Sequence, residues 1–232
     1  MKKRSFVLLV SVVMMGSILL GGCGATKSSL VEGKINVVTS FYPLYDFTRK
    51  IGGEHVNVIN LVPAGVEPHD WAPKSTDMKN ITKAEVFVYN GAGFEGWVDD
   101  FLKGLEKDSK LEAIEASRGV ELIDATEEEH EEEGHEEEGE NHAEEGNGHE
   151  EDGDDHGQYD PHVWVSPLSA KKLAENIKMA LIKADTANEA DYEANYQELI
   201  VKLDVLSEKF KAVVAKSARK DIIVSHGAFG YM

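Results

Sequence analysis

The stretch KINVVTSFYPLYDFTRKIGG, residues 34–53, predicts one strand and one helix in direct succession. Its first part, residues 34–41, is apolar and rich in β-branched side chains, which is typical of a buried strand. In its second part Leu44, Phe47 and Ile51 recur at helical spacing before a Gly-Gly pair that ends the helix. A strand that passes directly into a helix is the unit from which a parallel sheet covered by helices is built.

The alternation of strand and helix continues along the first half of the chain. Further strands are predicted at residues 55–63, 85–93 and 119–124, and further helices at residues 74–84 and 95–105. This order predicts an α/β fold with a parallel sheet. In such sheets, ligands bind in the loops beyond the carboxyl ends of the strands.

The last third of the chain predicts two helices in succession. Ser166 and Pro167 have the residue types of a helix cap and a first turn, and they open a helix over residues 168–184. The sequence TANE at residues 186–189 has the pattern of a capping box. It opens a helix of about thirty residues, which would span about 45 Å at 1.5 Å per residue. Because one small lobe does not need a helix of that length, we expect it to connect two lobes.

The predicted architecture is therefore two (β/α) lobes joined by a long rigid helix. The N-terminal lobe covers residues 34–184, and the linking helix covers residues 185–218. The final stretch, DIIVSHGAFGYM, predicts one strand and a turn. Residues 219–232 are thus expected to begin a second lobe that is largely absent from this chain.

Residues 1–22 have the pattern of a secretory signal peptide. Three basic residues precede an apolar stretch over residues 6–20, which is too short and too one-sided for a membrane span. The sequence LLGGC resembles a bacterial lipobox, which implies cleavage before Cys23 and lipidation of its sulfur. Two acyl chains would anchor the protein at the extracytoplasmic face of the cell membrane, with residues 23–33 as a polar tether. The alternative is a plain signal peptide with an unrelated cysteine.

One segment carries almost all of the acidic charge. The formal net charge of the 232-residue chain is −19, and residues 127–157 supply seventeen acidic residues and no Lys or Arg. The rest of the chain is thus close to neutral, and the acidic balance argues against a nucleic-acid partner. The segment has almost no apolar residue that could offset the backbone entropy of ordering, about 1 to 2 kcal/mol per residue, so we predict that it is disordered.

Five histidines recur within this acidic segment at intervals of five to seven residues: His130, His135, His142, His149 and His156. Imidazoles and carboxylates in a mobile chain would bind zinc weakly, because no rigid geometry is enforced. We therefore hypothesise that the segment gathers zinc or senses its excess. The alternative is a solvated polyanionic loop without a metal role.

Three other histidines lie where a strand-like pattern ends. His69 follows NVINLVPAGVEP, His162 follows YDP, and His226 follows DIIVS. Because the carboxyl ends of parallel strands meet at one edge of a sheet, we expect these imidazoles to converge. Three neutral imidazoles form a first shell for zinc, at about 2.0 to 2.1 Å from nitrogen to metal. The alternative for each histidine taken singly is a hydrogen-bonded structural role.

Four motifs, VVTSFYPLYDF, VPAGVEPHDWAPKSTD, YDPHVWVSP and VSHGAFGY, occur in this order between residue 34 and the end of the chain. Together they resemble the metal-binding lipoproteins of bacterial ABC importers, in particular the zinc branch of the cluster A-I (cluster nine) solute-binding family. The acidic histidine-rich segment between the second and third motifs resembles that branch as well. The resemblance implies two (β/α) lobes joined by one rigid helix, with the metal between the lobes.

Transferred residue by residue, the resemblance implies that His69, His162 and His226 are the three nitrogen ligands. The manganese branch has a carboxylate at the third position, so His226 favours zinc, a metal that suits imidazole. In the family a carboxylate of the second lobe or a water fills a fourth position, which is left unassigned. Asp160 and Asp70 are expected as outer-shell partners that orient an imidazole through its second ring nitrogen. The alternative for Asp160 is a turn residue before a proline.

The resemblance implies a membrane-tethered receptor, and not an enzyme, that captures Zn²⁺ as its transported ligand and delivers it to an ABC permease. A zinc-dependent hydrolase is the alternative, because three histidines and an open position also form catalytic sites. The chain has no H-E-x-x-H motif and no evident base beside a histidine triplet. A manganese-binding or adhesin-type member of the same family is a further alternative, for which the sequence offers no motif.

Overall fold

The computed structural model of the chain describes residues 30–125, 159–219 and 221–232. The predicted signal peptide, the lipidation residue Cys23 and the acidic segment 127–157 with its five histidines lie outside the described residues, so what was inferred for them stays a prediction. Within the three described ranges, no helix combines the length and apolar character needed to cross a membrane.

Four parallel strands form the central sheet. Strand β1 (Ile35–Thr39) lies between β2 (Val56–Asn60) and β3 (Val86–Tyr89), and β4 (Glu112–Glu115) pairs with the other side of β3. The chain therefore adds strands first on one side of β1 and then on the other. That reversal places a topological switch point at the carboxyl ends of β1 and β3, where ligands of such sheets bind. The predicted α/β fold is confirmed.

In the described ranges, five helices cover the two faces of the sheet. They are α1 (Tyr42–Gly52), α2 (Ser75–Ile81), α3 (Val98–Lys103), α4 (Pro167–Ala184) and α5 (Glu189–Lys216). Because successive strand side chains point to opposite faces, Val37 packs with α1, α4 and α5 while its neighbour Val38 packs with α2 and α3. Both residues are fully buried, so the sheet separates two hydrophobic cores.

The two helices predicted in the last third of the chain are present. Ser166 caps α4, because its Oγ accepts a hydrogen bond from the backbone N–H of Ser169 at 3.5 Å. Helix α5 has 28 residues, which corresponds to about 42 Å. Its first half buries Tyr192, Leu199 and Leu203 against the lobe, whereas every residue after Ser207 is exposed. Its predicted role as a connection between lobes stays a prediction.

The strand predicted at residues 119–124 is wrong. The fourth strand is Glu112–Glu115, and residues 119–124 contribute only an isolated antiparallel bridge between Asp124 and Tyr159. The sequence signal is weak because β4 lies at the sheet edge and has a glutamate at each end. After it the chain turns away at Gly119, whose φ of +81° lies in the left-handed region.

The strand predicted at DIIVSH is also wrong. Residues 221–225 have no strand partner in the described part of the chain, and the side chains of Ile222 and Ile223 are 69% and 102% exposed. A strand needs a neighbour to satisfy its backbone hydrogen bonds, and β-branched composition cannot supply one.

The capping box predicted at TANE is absent. Residues Thr186–Asn188 form a single 3₁₀ turn, and Asn188 caps α5 without a side-chain hydrogen bond. The polar anchor at this corner is Asp185, whose Oδ2 accepts from Asn188 Nδ2 at 2.6 Å and from the hydroxyl of Tyr192 at 2.8 Å.

Candidate metal centre

Three imidazoles from distant parts of the chain meet at one point. The Nε2 atom of His162 lies 3.2 Å from Nε2 of His69 and 2.9 Å from Nε2 of His226. The candidate ligand atoms of all three lie within 4.8 Å of one another. Two nitrogens that bind one tetrahedral zinc at about 2.05 Å are about 3.3 Å apart, so these spacings suit a shared zinc ion. The expected convergence is present.

The three histidines reach this point from different structural settings. His69 lies in the loop between β2 and α2, as expected for a residue beyond the carboxyl end of a strand. His162 does not end a strand, because only Tyr159 of its segment forms a bridge, and it precedes the 3₁₀ helix Val163–Val165. His226 lies in the segment after α5, which has no strand. Strand ends therefore explain the position of one ligand only.

His162 is the fixed member of the centre. It is 4% exposed, and Oδ1 of the equally buried Asp160 accepts hydrogen bonds from both its backbone N–H, at 2.8 Å, and its ring Nδ1, at 2.7 Å. A carboxylate on Nδ1 holds that nitrogen protonated, which leaves the lone pair of Nε2 directed at the metal position. An outer-shell role for Asp160 requires a contact of this kind, and the role itself stays a prediction.

Asp70 has no comparable contact in the described residues. It is exposed, and it acts on His69 only through a weak charge effect that raises the pKa of that imidazole. The outer-shell role expected for Asp70 therefore has no hydrogen bond to support it.

The environment of His69 favours its neutral form. Although His69 is exposed as a whole residue, partial desolvation of its imidazole lowers the pKa of His69. The neighbouring His162 lowers it further, and the charge of Glu67 opposes both effects. Only the neutral imidazole has a free lone pair for a metal. His69 is therefore available as a ligand at a lower pH than an isolated imidazole.

Aromatic side chains form the floor of the centre. The ring of Phe94 lies 4.8 Å from that of His69, and the ring of Trp164 lies 5.3 Å from that of His162, measured between centroids. Both rings also pack on Phe41, at 4.6 Å each. These rings give the centre an apolar side next to His69 and His162, which strengthens electrostatic interactions at the metal position.

The sequence reasoning missed a polar network beneath His162. The side-chain amide of Asn90 donates to the backbone oxygen of Pro161 at 2.9 Å, next to His162. The carboxylate of Glu95 holds the Asn90 loop, accepting from the backbone N–H of Asn90 at 2.8 Å and from Ser40 Oγ at 2.5 Å. The signal available in the sequence was a polar pair, Asn90 and Glu95, directly after a buried strand.

The family model for the periplasmic zinc-uptake complex component A, ZnuA, matches residues 37–232. The chain is 38% identical to the high-affinity zinc uptake system protein ZnuA of Bacillus subtilis (strain 168), over 93% of this chain and 64% of that protein. It is 33% identical to the zinc-binding lipoprotein AdcA of Streptococcus pneumoniae, over 100% of this chain and 42% of that protein.

Solved structures show the same relationship. The metal-dependent lipoprotein YcdH of Bacillus subtilis superposes with a TM-score of 0.68 at 34% identity, over 85% of this chain and 62% of that one. Zn(II)-bound AdcA of Streptococcus pneumoniae superposes with a TM-score of 0.69 at 31% identity, over 86% of this chain and 37% of that one. The chain thus spans less than two thirds of the length of these relatives. Since the family model covers the chain from Val37 to its last residue, the chain belongs to the ZnuA family of zinc-uptake components.

Proposed function

We propose that this protein is an extracytoplasmic receptor that captures Zn²⁺ and delivers it to an ABC permease. The observation that carries the proposal is the meeting of three Nε2 atoms, from His69, His162 and His226, at spacings that a single zinc ion bridges. The names of the similar proteins, which refer to zinc uptake and zinc binding, support it.

The donor set favours zinc over manganese. All three ligand atoms are imidazole nitrogens, which suit zinc, whereas manganese prefers carboxylate and carbonyl oxygens. A tetrahedral zinc also needs a fourth ligand. That position is open to water or to a group outside the described residues.

The centre combines one fixed ligand with two accessible ones. His162 is buried and held by Asp160, whereas His69 and His226 are exposed and lie on segments without helix or strand. An ion can therefore enter from solvent and be held first by a preoriented nitrogen. Movement of an exposed ligand away from His162 would weaken the site and allow release of the ion to the permease.

The contacts of Asp160 fit the orientation of a ligand and not the role of a hydrolytic base. A zinc hydrolase needs a base beside the water on the metal. Among the described residues, the carboxylate that hydrogen-bonds an imidazole of the centre is that of Asp160, and it lies on the Nδ1 side of His162, away from the metal position. It orients a ligand and cannot take a proton from a metal-bound water.

Attachment to the membrane through Cys23 completes the proposed function. A receptor that serves a permease must stay near it, and AdcA of Streptococcus pneumoniae and YcdH of Bacillus subtilis are both named lipoproteins. A diacylglyceryl group on Cys23 would provide that anchor. Labelling of cells with a radioactive fatty acid should mark the wild-type protein and leave Cys23→Ala unlabelled.

Metal analysis tests the central claim. The protein is purified without added metal, and its zinc and manganese contents are measured by mass spectrometry for wild type, His69→Ala, His162→Ala and His226→Ala. We expect tightly held zinc in the wild type and its loss in each variant. His55→Ala is the matched control, because His55 pairs with Asp191 at 2.8 Å and is not part of the centre. Zinc content that survives all three substitutions would contradict the proposal.

A further inference from the structure

The position of His226 needs an explanation that its own backbone does not supply. Immediately before it, Ile222 and Ile223 are exposed and belong to no strand of the described structure. Nevertheless Nε2 of His226 lies 2.9 Å from Nε2 of His162. Within the described residues, hydrogen bonds that hold this segment on the lobe come from Tyr231, five residues after His226.

Tyr231 provides the anchor for this segment. Its hydroxyl donates to the backbone oxygen of Asp160 at 2.7 Å and accepts from the backbone N–H of Ile123 at 3.2 Å. Its ring is partly buried against the core that includes α1, α4 and α5. One hydroxyl thus joins the segment of His226 to two other segments at once, those of Ile123 and Asp160.

The partner of that hydroxyl is the residue that orients His162. The backbone oxygen of Asp160 holds Tyr231, while its side-chain Oδ1 holds the backbone N–H and ring Nδ1 of His162. Its backbone N–H also donates to the oxygen of Ile123 at 2.9 Å. Asp160 therefore links His162 to the segment that carries His226.

Gly230 permits the close approach that this arrangement needs. A Cβ atom at this position would lie 2.8 Å from Oδ2 of Asp160 and 2.5 Å from Cδ1 of Ile123. The isoleucine methyl can rotate away, but the buried carboxylate cannot shift without weakening its hydrogen bonds to His162. Any larger residue at 230 would push the segment off the lobe.

We propose that Tyr231 is a positioning residue of the metal centre. Its hydroxyl binds the backbone oxygen of Asp160 and the backbone N–H of Ile123, and it thereby holds the imidazole of His226 against that of His162. The inference rests on the proposed function, since it concerns the affinity of the same site. Tyr231 does not contact the metal. It raises affinity by holding a ligand in place before the ion arrives.

A double-mutant cycle on zinc affinity tests this role. The dissociation constant is measured by competition with a chromogenic chelator for wild type, Tyr231→Phe, His226→Ala and the double variant. Tyr231→Phe keeps the ring and removes two hydrogen bonds, so we expect about tenfold weaker zinc binding in the wild-type background. With His226 absent there is no ligand left to position, so the same substitution should change affinity by less than about twofold.

One further variant tests the position of the segment, and another serves as a control. Gly230→Ala should weaken zinc binding in the same His226-dependent way without altering the hydroxyl. Tyr42→Phe is the matched control, because the side chain of Tyr42 is 64% exposed, and it should bind zinc as the wild type does.

The outcomes separate this inference from the proposed function. An equal loss from Tyr231→Phe in both backgrounds, or no loss in either, would overturn the positioning role and leave zinc capture standing. If His226→Ala itself leaves zinc affinity unchanged, the three-histidine site is wrong, and the positioning role is overturned with it.

Discussion

Glu95→Gln should change how the stability of the lobe depends on pH. Burial raises the pKa of Glu95 from its ordinary 4.5 to about 7, against the opposing effect of hydrogen bonds from Asn90, Ser40 and Gly91. The folded state therefore binds a proton between these two pH values, and the unfolded chain does not. Stability from this group is fully present below about pH 4.5 and is lost as the pH rises through about 7.

The size of the effect follows from the gap between the two pKa values. A gap of about 2.5 pKa units at 1.36 kcal/mol per unit is about 3 kcal/mol, of which about 2.5 kcal/mol falls between pH 5 and pH 8. Glutamine has a similar size and no charge at any pH. The difference in unfolding free energy, wild type minus Glu95→Gln, should thus fall by about 2 to 3 kcal/mol over that range.

Urea unfolding with a chelator present, followed by tryptophan fluorescence, measures this difference at pH 5, 6, 7 and 8. Subtraction of the two proteins cancels the titration of every other group. Glu106→Gln, at an exposed position, is the matched control and should give a difference that does not vary with pH. A flat difference for Glu95→Gln, or one that rises with pH, would refute the argument that burial dominates this carboxyl group.

Three further predictions concern the binding of zinc, two at the metal centre and one at the acidic segment. Asp160→Asn should weaken zinc binding about 10- to 100-fold, measured by chelator competition, because the carboxylate of Asp160 orients the imidazole of His162. Asp70→Asn is the control and should have little effect, because Asp70 is exposed. Equal losses in the two variants would contradict the role of Asp160. Zinc affinity should fall below about pH 6.5, because protons compete for the imidazole lone pairs. Desolvation and the neighbouring His162 lower the pKa of His69, so protons displace zinc from that ligand only at a more acidic pH than from a free imidazole. A dissociation constant for zinc that does not change from pH 5 to 8 would be inconsistent with imidazole ligands. Deletion of residues 127–157 should remove the weakly bound zinc ions seen in a calorimetric titration and leave the tight site unchanged. If the full chain binds no zinc weakly, the hypothesis that the acidic segment gathers zinc is wrong.

Local sequence pattern was sufficient for most of the secondary structure of this lobe. The strands β1, β2 and β3 and all five helices lie where apolar periodicity and helix signals placed them. These elements are long or strongly patterned, so their side chains alone determine which face is buried. The edge strand β4 was not predicted, because an edge strand tolerates charged residues and β4 has a glutamate at each end.

The errors occurred where a partner decides the outcome. The β-branched run at residues 221–224 predicted a strand, but a strand exists only beside another one, and no described segment pairs with it. The TANE sequence has the residue types of a capping box, yet Asp185 takes the polar contacts at that corner. In both cases the residue types favour the predicted structure, but contacts with other parts of the chain, present or missing, determine what forms.

The sequence by itself determined the α/β fold and the family, because these depend on residue types and on motifs that are local in the chain. For the same reason it singled out the three histidines of the candidate centre, whose metal role stays a proposal. Only the tertiary structure decided that Asp160 holds Nδ1 of His162, that Asn90 and Glu95 support the loop below it, and that Tyr231 fastens the segment of His226. These contacts join residues that are far apart along the chain, or depend on the direction of a side chain. The physical reason is that hydrogen bonds act over about 3 Å in space, and separation along the sequence does not specify that distance.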